Sequence, residues 1–296
     1  MGNAPFLFPP DDTDVTHKYF GQRRALAGRL AHMPTQTEPG RRGLLGLKLP
    51  GLAGRDARKA DEKEARAIQA RLLPSETPQI VGFQIACAWW PSAEVSGDYF
   101  DVFELGADQI ALCIADVSGR GLAAATLMSQ LHDAVRGFAP AAASAAELCT
   151  KVNQALCGSG PQTRFATMFY AILERGEARL RYENAGHCLP LLMRGDGGIE
   201  FPASFSGVIG IFSHWLYQNQ EIQLRSGDCL LLITDGILLA ENRRHEEFGY
   251  QRLIDAVEKG RARGAAALSQ EILAEVTQFC GGKLRDEASL VVVMVD

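Results

Sequence analysis

Residues 109–121 read QIALCIADVSGRG. The first seven are almost continuously apolar, which is typical of a strand that is buried on both faces. An aspartate, Asp116, follows at once, and the turn after it contains two glycines, which let a backbone approach a ligand closely. Because a buried strand fixes the residue at its end, this stretch predicts a carboxylate held at a glycine-rich turn.

Three other strand edges carry an aspartate in a similar setting. They are Asp98 beside Gly97, Asp235 within Thr234-Asp235-Gly236, and Asp286 just before the last strand. One Asp-Gly pair is usually only a turn, but four carboxylates that meet would repel one another and lose hydration. Divalent cations relieve both costs, and oxygen ligands favour Mg²⁺ or Mn²⁺. The sequence therefore predicts a binuclear metal site that could hold a phosphate.

The order of the predicted elements indicates the fold class. We expect strands at 83–89, 99–105, 109–115, 165–173, 178–184, 189–193, 229–234 and 288–295, and helices at 122–135, 145–156, 250–258 and 265–279. Hairpins imply antiparallel sheet, and helices in pairs imply layers on the faces of the sheet. The chain is thus predicted to be an α+β layered sandwich rather than an alternating parallel fold.

The chain divides into three segments by composition. Residues 1–55 are interrupted by Pro and Gly and have no sustained apolar period, so we expect a flexible N-terminal segment. Residues 56–75 form a helical linker, with a helix at 56–73 that Pro74 ends. Residues 76–296 form the main domain.

Charge and cysteine content narrow the functional class. The net charge is −5, and residues 1–60 hold ten Lys/Arg against five Asp/Glu, so the remainder carries −10. An acidic body argues against nucleic acid as the main partner. The seven cysteines form no C-x-x-C pair and are predicted to be reduced. No apolar run is long enough for a membrane span and no secretory signal is evident, so we expect a cytoplasmic protein.

Several ordered blocks resemble the SpoIIE-like branch of the PPM (type 2C) metal-dependent serine/threonine protein phosphatases. The resemblance covers roughly residues 65–296. Its blocks are ARLLP at 70–74, PSAEVSGDYFD at 91–101, DVSGRG at 116–121 with Ala123, Ala124 and Met128, NAGH at 184–187, GD at 227–228, TDG at 234–236 and FG at 248–249.

This resemblance implies a fold and a catalytic centre. The fold would be a layered α-β-β-α sandwich of two antiparallel sheets flanked by helices. Two Mn²⁺ or Mg²⁺ ions would activate a water for direct attack on phosphoserine or phosphothreonine. Asp116 would bridge the metals with the Val117 carbonyl as a further ligand. Asp235 and Asp286 would complete the second site, and Asp98 would hold the first site or a water bound to it.

The resemblance also implies a partner. The substrate would be a phosphorylated regulatory protein, usually a small STAS-domain anti-sigma-factor antagonist. The predicted helix at 56–73 motivates a second hypothesis, that it couples an upstream signal, or a partner in a homodimer, to the metal site. The alternative is a catalytically weak phosphatase-like domain that acts as a partner-binding signalling module.

The sequence departs from the family pattern, or leaves a residue's role open, at four places. Ser96 stands where the family usually has glycine, and Asp286-Glu287-Ala288-Ser289 departs from D-D-x-T. Arg120 stands where histidine is common, and it is either a phosphate contact or a solvated loop residue. His187 is either a general acid or a structural histidine, and the structural role is favoured.

Two unrelated classes remain open on sequence alone. GRGLAA at 119–124 matches a dinucleotide-binding G-x-G-x-x-A, but Asp116 would repel a pyrophosphate. A metal-dependent adhesion module of the von Willebrand A type also ends strands in D-x-S and T-D-G. That module needs a second serine where Arg120 stands, and it has a parallel sheet.

Overall fold

The computed structural model describes residues 64–78, 80–90, 95–157, 164–203 and 206–296, which belong to one compact unit, Asp61–Asp296. The predicted flexible segment 1–55 and the first half of the predicted helix 56–73 lie outside these ranges. Residues 64–70 are helical, and the helix ends three residues earlier than predicted. Within the described ranges, no helix combines the length and apolar character needed to span a membrane.

Ten strands form two antiparallel five-stranded sheets. The first sheet has the order β1 (Phe83–Trp90), β10 (Ala288–Val295), β9 (Cys229–Ile233), β6 (Leu191–Met193) and β7 (Ile199–Glu200). The second has the order β2 (Asp98–Gly106), β3 (Gln109–Val117), β4 (Ala166–Glu174), β5 (Arg179–Ala185) and β8 (Gln220–Gln223). Their antiparallel pairing excludes both the dinucleotide-binding fold and the von Willebrand A fold.

Helices pack on the two sheets. On the second sheet, α1 (Leu122–Phe138) contacts β2 and β3, and α2 (Ala145–Cys157) contacts β4 and β5. After the short helix α3 (Asp235–Leu238), α4 (Gly249–Gly260) contacts β6, and α5 (Ala265–Phe279) contacts β1 and β10. The predicted layered α-β-β-α sandwich is therefore confirmed.

The predicted strands and helices are present, with small shifts at their ends, but the sequence analysis omitted the short elements β7, β8 and α3. The omitted strands, β7 and β8, have two and four residues and are only partly buried, so they lack an apolar pattern. A more consequential difference from the prediction concerns the positions of the aspartates. Asp98 and Asp116 lie inside β2 and β3 rather than beside them, and Asp235 starts α3 rather than lying in a loop.

The core is built around the central strands of the second sheet. Residues 110–115 of β3 are fully buried, and every residue of β4 is buried. These are the continuous apolar runs that the sequence predicts as buried strands. Cys113, Cys149 and Cys229 are buried, reduced thiols, as expected.

Asp101, in the middle of β2, is fully buried and has a cationic partner. Arg136 of α1 donates to both carboxylate oxygens at 2.6 and 2.8 Å, and the Tyr99 hydroxyl donates to Oδ2 at 2.9 Å. The guanidinium also lies 4.1 Å from the centre of the Phe103 ring. This bidentate pair fixes α1 on β2, so Asp101 has a structural role although it belongs to the same block as Asp98.

We predict that Arg136→Met lowers the free energy of unfolding by about 3 kcal/mol, because it leaves the buried Asp101 carboxylate without its cation. Chemical denaturation monitored by circular dichroism measures this. Arg175→Met is the control, since Arg175 pairs at 3.7 Å with the exposed Asp108, and we expect a change below about 1 kcal/mol. Equal effects of the two variants would contradict the assignment.

Candidate metal centre

Asp98 begins β2 and lies where the two sheets meet. Its Oδ2 accepts hydrogen bonds from the Thr234 hydroxyl at 2.9 Å and the Ser289 hydroxyl at 2.7 Å. Thr234 follows β9 and Ser289 belongs to β10, so both donors come from the other sheet. Only 4% of Asp98 is exposed. The carboxylate is thus held in a fixed position by neutral donors.

The electrostatic environment of Asp98 is unfavourable to its own charge. Burial raises the pKa of the Asp98 carboxyl well above its usual range, and the Asp116 and Glu287 carboxylates raise it further. The two hydroxyl donors act in the opposite direction. Among the described residues, no Lys or Arg side chain forms an ion pair with Asp98. A bound cation would remove this penalty.

Asp116 lies directly opposite Asp98. The two residues are register partners in the antiparallel pair β2–β3, and directly opposed side chains in such a pair are neighbours on one face of the sheet. The next residue, Val117, donates its N–H to the Gly97 carbonyl at 3.2 Å. A Cβ on Gly97 would lie 3.1 Å from the Val117 carbonyl oxygen, so glycine keeps the two loops close.

The turn after Asp116 is shaped by its two glycines. Gly119 and Gly121 have φ of 102° and 71°, which L side chains rarely adopt. The Ser118 hydroxyl accepts the Phe165 N–H at 2.9 Å, and the Ser118 N–H donates to the Phe165 carbonyl at 2.8 Å. The turn is therefore anchored to the chain that enters β4. Arg120 at its tip is exposed.

Asp235 is the first residue of α3 and is half-buried. The next residue, Gly236, packs against the chain that precedes β10, because a Cβ there would overlap the Glu287 carbonyl oxygen. The glycine of Thr234-Asp235-Gly236 is thus required by a close approach of two backbones. This contact brings the Asp235 turn beside the segment that contains Asp286.

Asp286 is exposed, whereas its neighbour Glu287 is partly buried and reaches the Asp98 loop. Glu287 Oε2 accepts hydrogen bonds from the Ser96 hydroxyl at 2.6 Å, the Gly97 N–H at 2.7 Å and the Asp98 N–H at 3.2 Å. Oε2 of Glu287 therefore binds three consecutive residues, Ser96 to Asp98, where the chain enters β2 of the other sheet. The two residues after Asp286 that depart from D-D-x-T, Glu287 and Ser289, both contact the Asp98 region.

The structure brings the predicted site residues to one edge of the sandwich but does not assemble them into a complete ligand set. Asp98 and Asp116 are opposed, and the Asp235 turn touches the segment of Asp286. Within the described ranges, no three His, Cys, Asp or Glu side chains are close enough to hold a metal ion as they stand. The donor chemistry fits Mg²⁺ or Mn²⁺, since carboxylates meet there without a cationic partner for Asp98.

His187 lies beneath this edge rather than on its surface. It is 1% exposed, and its Nδ1 is hydrogen-bonded to the Thr167 hydroxyl at 2.9 Å. Thr167 is the register partner of Asp116 on β4 and contacts the Asp116 carbonyl at 3.4 Å. The Asn184 side chain accepts the His187 N–H at 2.7 Å. These contacts agree with the structural role that was favoured for this histidine.

The block Gly227-Asp228 is also structural. Asp228 is 1% exposed and accepts from Arg194 at 2.6 Å and from the backbone N–H groups of Gly195 and Arg225. It fixes the turn before β9 to the hairpin of β6 and β7.

A groove of about 370 Å³ beside α4 and α5 contains none of the four aspartates.

Sequence reasoning missed four side chains that hold the site together: Gln69, Thr234, Ser289 and Glu287. Gln69 is 4% exposed, donates to the Ser96 carbonyl at 2.5 Å and accepts the Ser96 N–H at 2.7 Å. The available sequence signal for Gln69 was that it is a polar residue between apolar residues of the 64–73 segment. Thr234 and Ser289 are hydroxyls next to buried strands, and no local pattern identifies their partner.

Comparison with known proteins places this fold and site in a family. The model of the family described as Stage II sporulation protein E (SpoIIE) matches residues 106–296. Protein IcfG of Synechocystis is 26% identical over 223 residues, which cover 66% of this chain and 35% of IcfG. Phosphoserine phosphatase RsbU of Bacillus subtilis is 26% identical over 238 residues, which cover 79% of this chain and 70% of RsbU.

A solved structure has the same fold. The SiaA PP2C domain of Pseudomonas aeruginosa superposes with a TM-score of 0.71 at 20% identity, covering 83% of this chain and all of that domain. The fold and its aspartate-bearing edge define a PP2C-type (PPM) phosphatase domain. Within that class, the chain belongs to the SpoIIE family. The predicted family is therefore confirmed, and relatives named phosphoserine phosphatases support the predicted enzyme class.

We predict that Asp98→Asn makes the metal-free protein more stable at neutral pH, because the raised pKa of Asp98 means that its ionised form costs stability. The cost is absent below the ordinary Asp pKa and grows as pH rises toward the raised folded-state value. The variant should lose the stabilisation that Mn²⁺ gives to the wild type. Thermal melts in EDTA and in MnCl₂, at pH 4 and 7.5, measure both effects.

Asp228→Asn is the matched control, since Asp228 is equally buried but has Arg194 as its cation. It should lower the melting temperature in EDTA and keep the Mn²⁺-induced shift. A metal-free Asp98→Asn protein that is less stable than the wild type at pH 7.5 would contradict the electrostatic account of this site.

Proposed function

We propose that this chain is a Mn²⁺- or Mg²⁺-dependent phosphatase that hydrolyses phosphoserine or phosphothreonine on a regulatory protein. The observation that carries the proposal is the opposition of Asp98 and Asp116 across β2 and β3. Glu287 adds a third carboxylate near Asp98, and no Lys or Arg in the described part of the chain pairs with Asp98. Two ions would be held by Asp98, Asp116, Asp235 and Asp286, with the Val117 carbonyl as a further ligand.

The chain's own residues position the reacting groups and do not themselves form or break bonds in the reaction. Bound divalent cations would lower the pKa of water and neutralise phosphate oxygens. Thr234 and Ser289 orient the Asp98 carboxylate, and the glycine-rich turn after Asp116 leaves backbone room for a phosphoryl group. The exposed Arg120 at the tip of that turn is available for a bidentate phosphate contact. His187 is too deeply buried to reach a protein substrate.

The proposed substrate is a STAS-domain antagonist of an anti-sigma factor in the cytoplasm. Similarity to RsbU, which is named a phosphoserine phosphatase, supports the phosphoserine class. The chain spans about a third of IcfG and 70% of RsbU. The STAS-domain partner therefore rests on the family resemblance and needs a direct test on this chain.

The direct test is Mn²⁺-dependent release of phosphate from p-nitrophenyl phosphate and from a phosphorylated STAS-domain protein. We expect turnover by the wild type and a loss of roughly 10³-fold or more in Asp116→Asn, because metal catalysis contributes several kcal/mol to the barrier. Asp235→Asn should lose turnover to a similar extent. Asp286→Asn should keep a remnant at high Mn²⁺, since Asp286 is exposed and least constrained.

Asp133→Asn is the control, because Asp133 is 79% exposed on α1 and should leave turnover unchanged. Absence of turnover in a folded wild type would favour the alternative, a phosphatase-like domain that only binds partners. Full turnover in Asp116→Asn would contradict the proposed metal centre.

We also propose that the helical linker 56–75 communicates with the metal centre, and that a homodimer formed through it is one source of the signal. Gln69 supports this proposal, because its side chain pairs with both backbone groups of Ser96, two residues before Asp98. A displacement of the helix would therefore break two buried hydrogen bonds in the loop that carries a proposed ligand. Ile68, the neighbouring apolar residue, is 56% exposed and available to a partner helix.

We predict that Gln69→Ala raises the Mn²⁺ concentration required for half-maximal activity by about tenfold, because it leaves the Ser96 N–H and carbonyl without partners. Phosphate release across a Mn²⁺ titration measures this. Gln251→Ala, on the exposed surface of α4, is the control and should match the wild type. If Gln69→Ala and removal of residues 1–74 both leave activity and its Mn²⁺ dependence unchanged, the proposed coupling is wrong.

A further inference from the structure

Glu287 occupies an unusual position in the site. Its carboxylate brings a second negative charge toward Asp98, in addition to that of Asp116, the register partner of Asp98. A residue with only that effect would weaken the metal-free fold. Its hydrogen bonds account for its place, because Oε2 accepts from Ser96, Gly97 and Asp98 at 2.6–3.2 Å.

Ser96 is the other half of this arrangement. The residue is 1% exposed, and its hydroxyl donates to Glu287 Oε2 and accepts the Asp98 N–H at 3.1 Å. The hydroxyl therefore lies between the Glu287 carboxylate and the backbone of the proposed metal ligand. Hydrogen bonds to a carboxylate are about twice as strong as those between neutral groups, so this contact restricts the loop strongly.

The two residues also connect the two sheets. Ser96 precedes β2 of the second sheet, and Glu287 precedes β10 of the first. The carboxylate of Asp98 is held from the first sheet by Thr234 and Ser289, and its backbone is held from the same sheet by Glu287. Both ends of Asp98 are thus fixed by the opposite layer of the sandwich.

We infer that Ser96 and Glu287 form a coupled positioning pair that sets the Asp98 carboxylate for metal binding, so that neither can be changed alone without loss of metal affinity. The inference rests on the proposed function and deepens it. Ser96 and Glu287 are two of the departures from the family pattern, and they touch each other. A serine in place of glycine supplies the hydroxyl, and a glutamate in place of aspartate supplies the reach of one further methylene.

The pair explains why Glu287 is tolerated beside two aspartates. Ser96, Gly97 and Asp98 each donate a hydrogen bond to Oε2, so three N–H or O–H dipoles compensate the charge of Glu287. Its remaining field still favours a divalent ion nearby. Glu287 is therefore a positioning residue, and Asp98 is the proposed metal ligand. The two roles are expected to differ in their effects on metal affinity.

A double-mutant cycle on Mn²⁺ binding tests the pair. Isothermal titration calorimetry gives the Mn²⁺ Kd of the wild type, Ser96→Ala, Glu287→Gln and the double variant. We expect each single change to raise Kd by about 10- to 100-fold, as is typical when a partner of a metal ligand is lost. The double variant should bind no more weakly than the weaker-binding single variant, because both changes act on the same contact: Gln weakens it by removing the charge, and Ala removes the hydroxyl.

Glu147→Gln is the matched control for charge. Glu147 accepts the Ala143 N–H at 2.8 Å at the start of α2, so the change removes one carboxylate that holds a backbone amide elsewhere on the chain. Its Kd for Mn²⁺ should equal that of the wild type. Circular dichroism checks each variant, and if Glu287→Gln fails to fold, Ser96→Ala, which changes no charge, decides the question.

The outcomes separate this inference from the proposed function. A wild type that neither binds Mn²⁺ nor releases phosphate overturns the proposed function. A wild type that does both, with Ser96→Ala at wild-type affinity, overturns only the pair. Single effects that multiply in the double variant also contradict it, because independent contributions would mean that the two side chains do not act through one contact.

Discussion

The arrangement of this domain depends on one buried carboxylate between two sheets. Asp98 belongs to β2, but both hydroxyls that hold its side chain, those of Thr234 and Ser289, belong to the other sheet. The two layers therefore meet around a negative charge that has been removed from water. Such a position is costly unless the charge is compensated, and the Asp116 and Glu287 carboxylates make the cost larger. This cost is the physical basis of the proposed cation site.

The contrast within β2 supports this interpretation. Asp101 is three residues along the strand and is therefore on the opposite face, where Arg136 binds both its oxygens. Asp101 and Asp98 are both buried, but within the described ranges only Asp101 pairs with a Lys or Arg side chain. Asp101 forms a structural ion pair that fixes α1, and Asp98 is the proposed metal ligand. The same block of sequence thus contains one carboxylate in an ion pair and one at the proposed metal site.

Much of the fold could be predicted from sequence because its core strands are long apolar runs, such as residues 110–115. The edge strands β7 and β8 could not, since two to four half-exposed residues carry no periodic signal. Asp98 and Asp116 were identified, but not that they face each other, because register between strands depends on pairing across the sheet. Glu287 and Gln69 were missed since their partners are 190 and 27 residues away in the chain. The prediction that residues 1–55 are flexible concerns a part of the chain outside the described residues.

The central claim is that the Asp98–Asp116 edge is where divalent cations bind. The most direct measurement is anomalous diffraction at the manganese edge from crystals grown with MnCl₂. We expect anomalous peaks beside the carboxylates of Asp116 and Asp98, and their disappearance in crystals of Asp116→Asn. Manganese located only away from this edge, or peaks that persist unchanged in Asp116→Asn, would contradict the account.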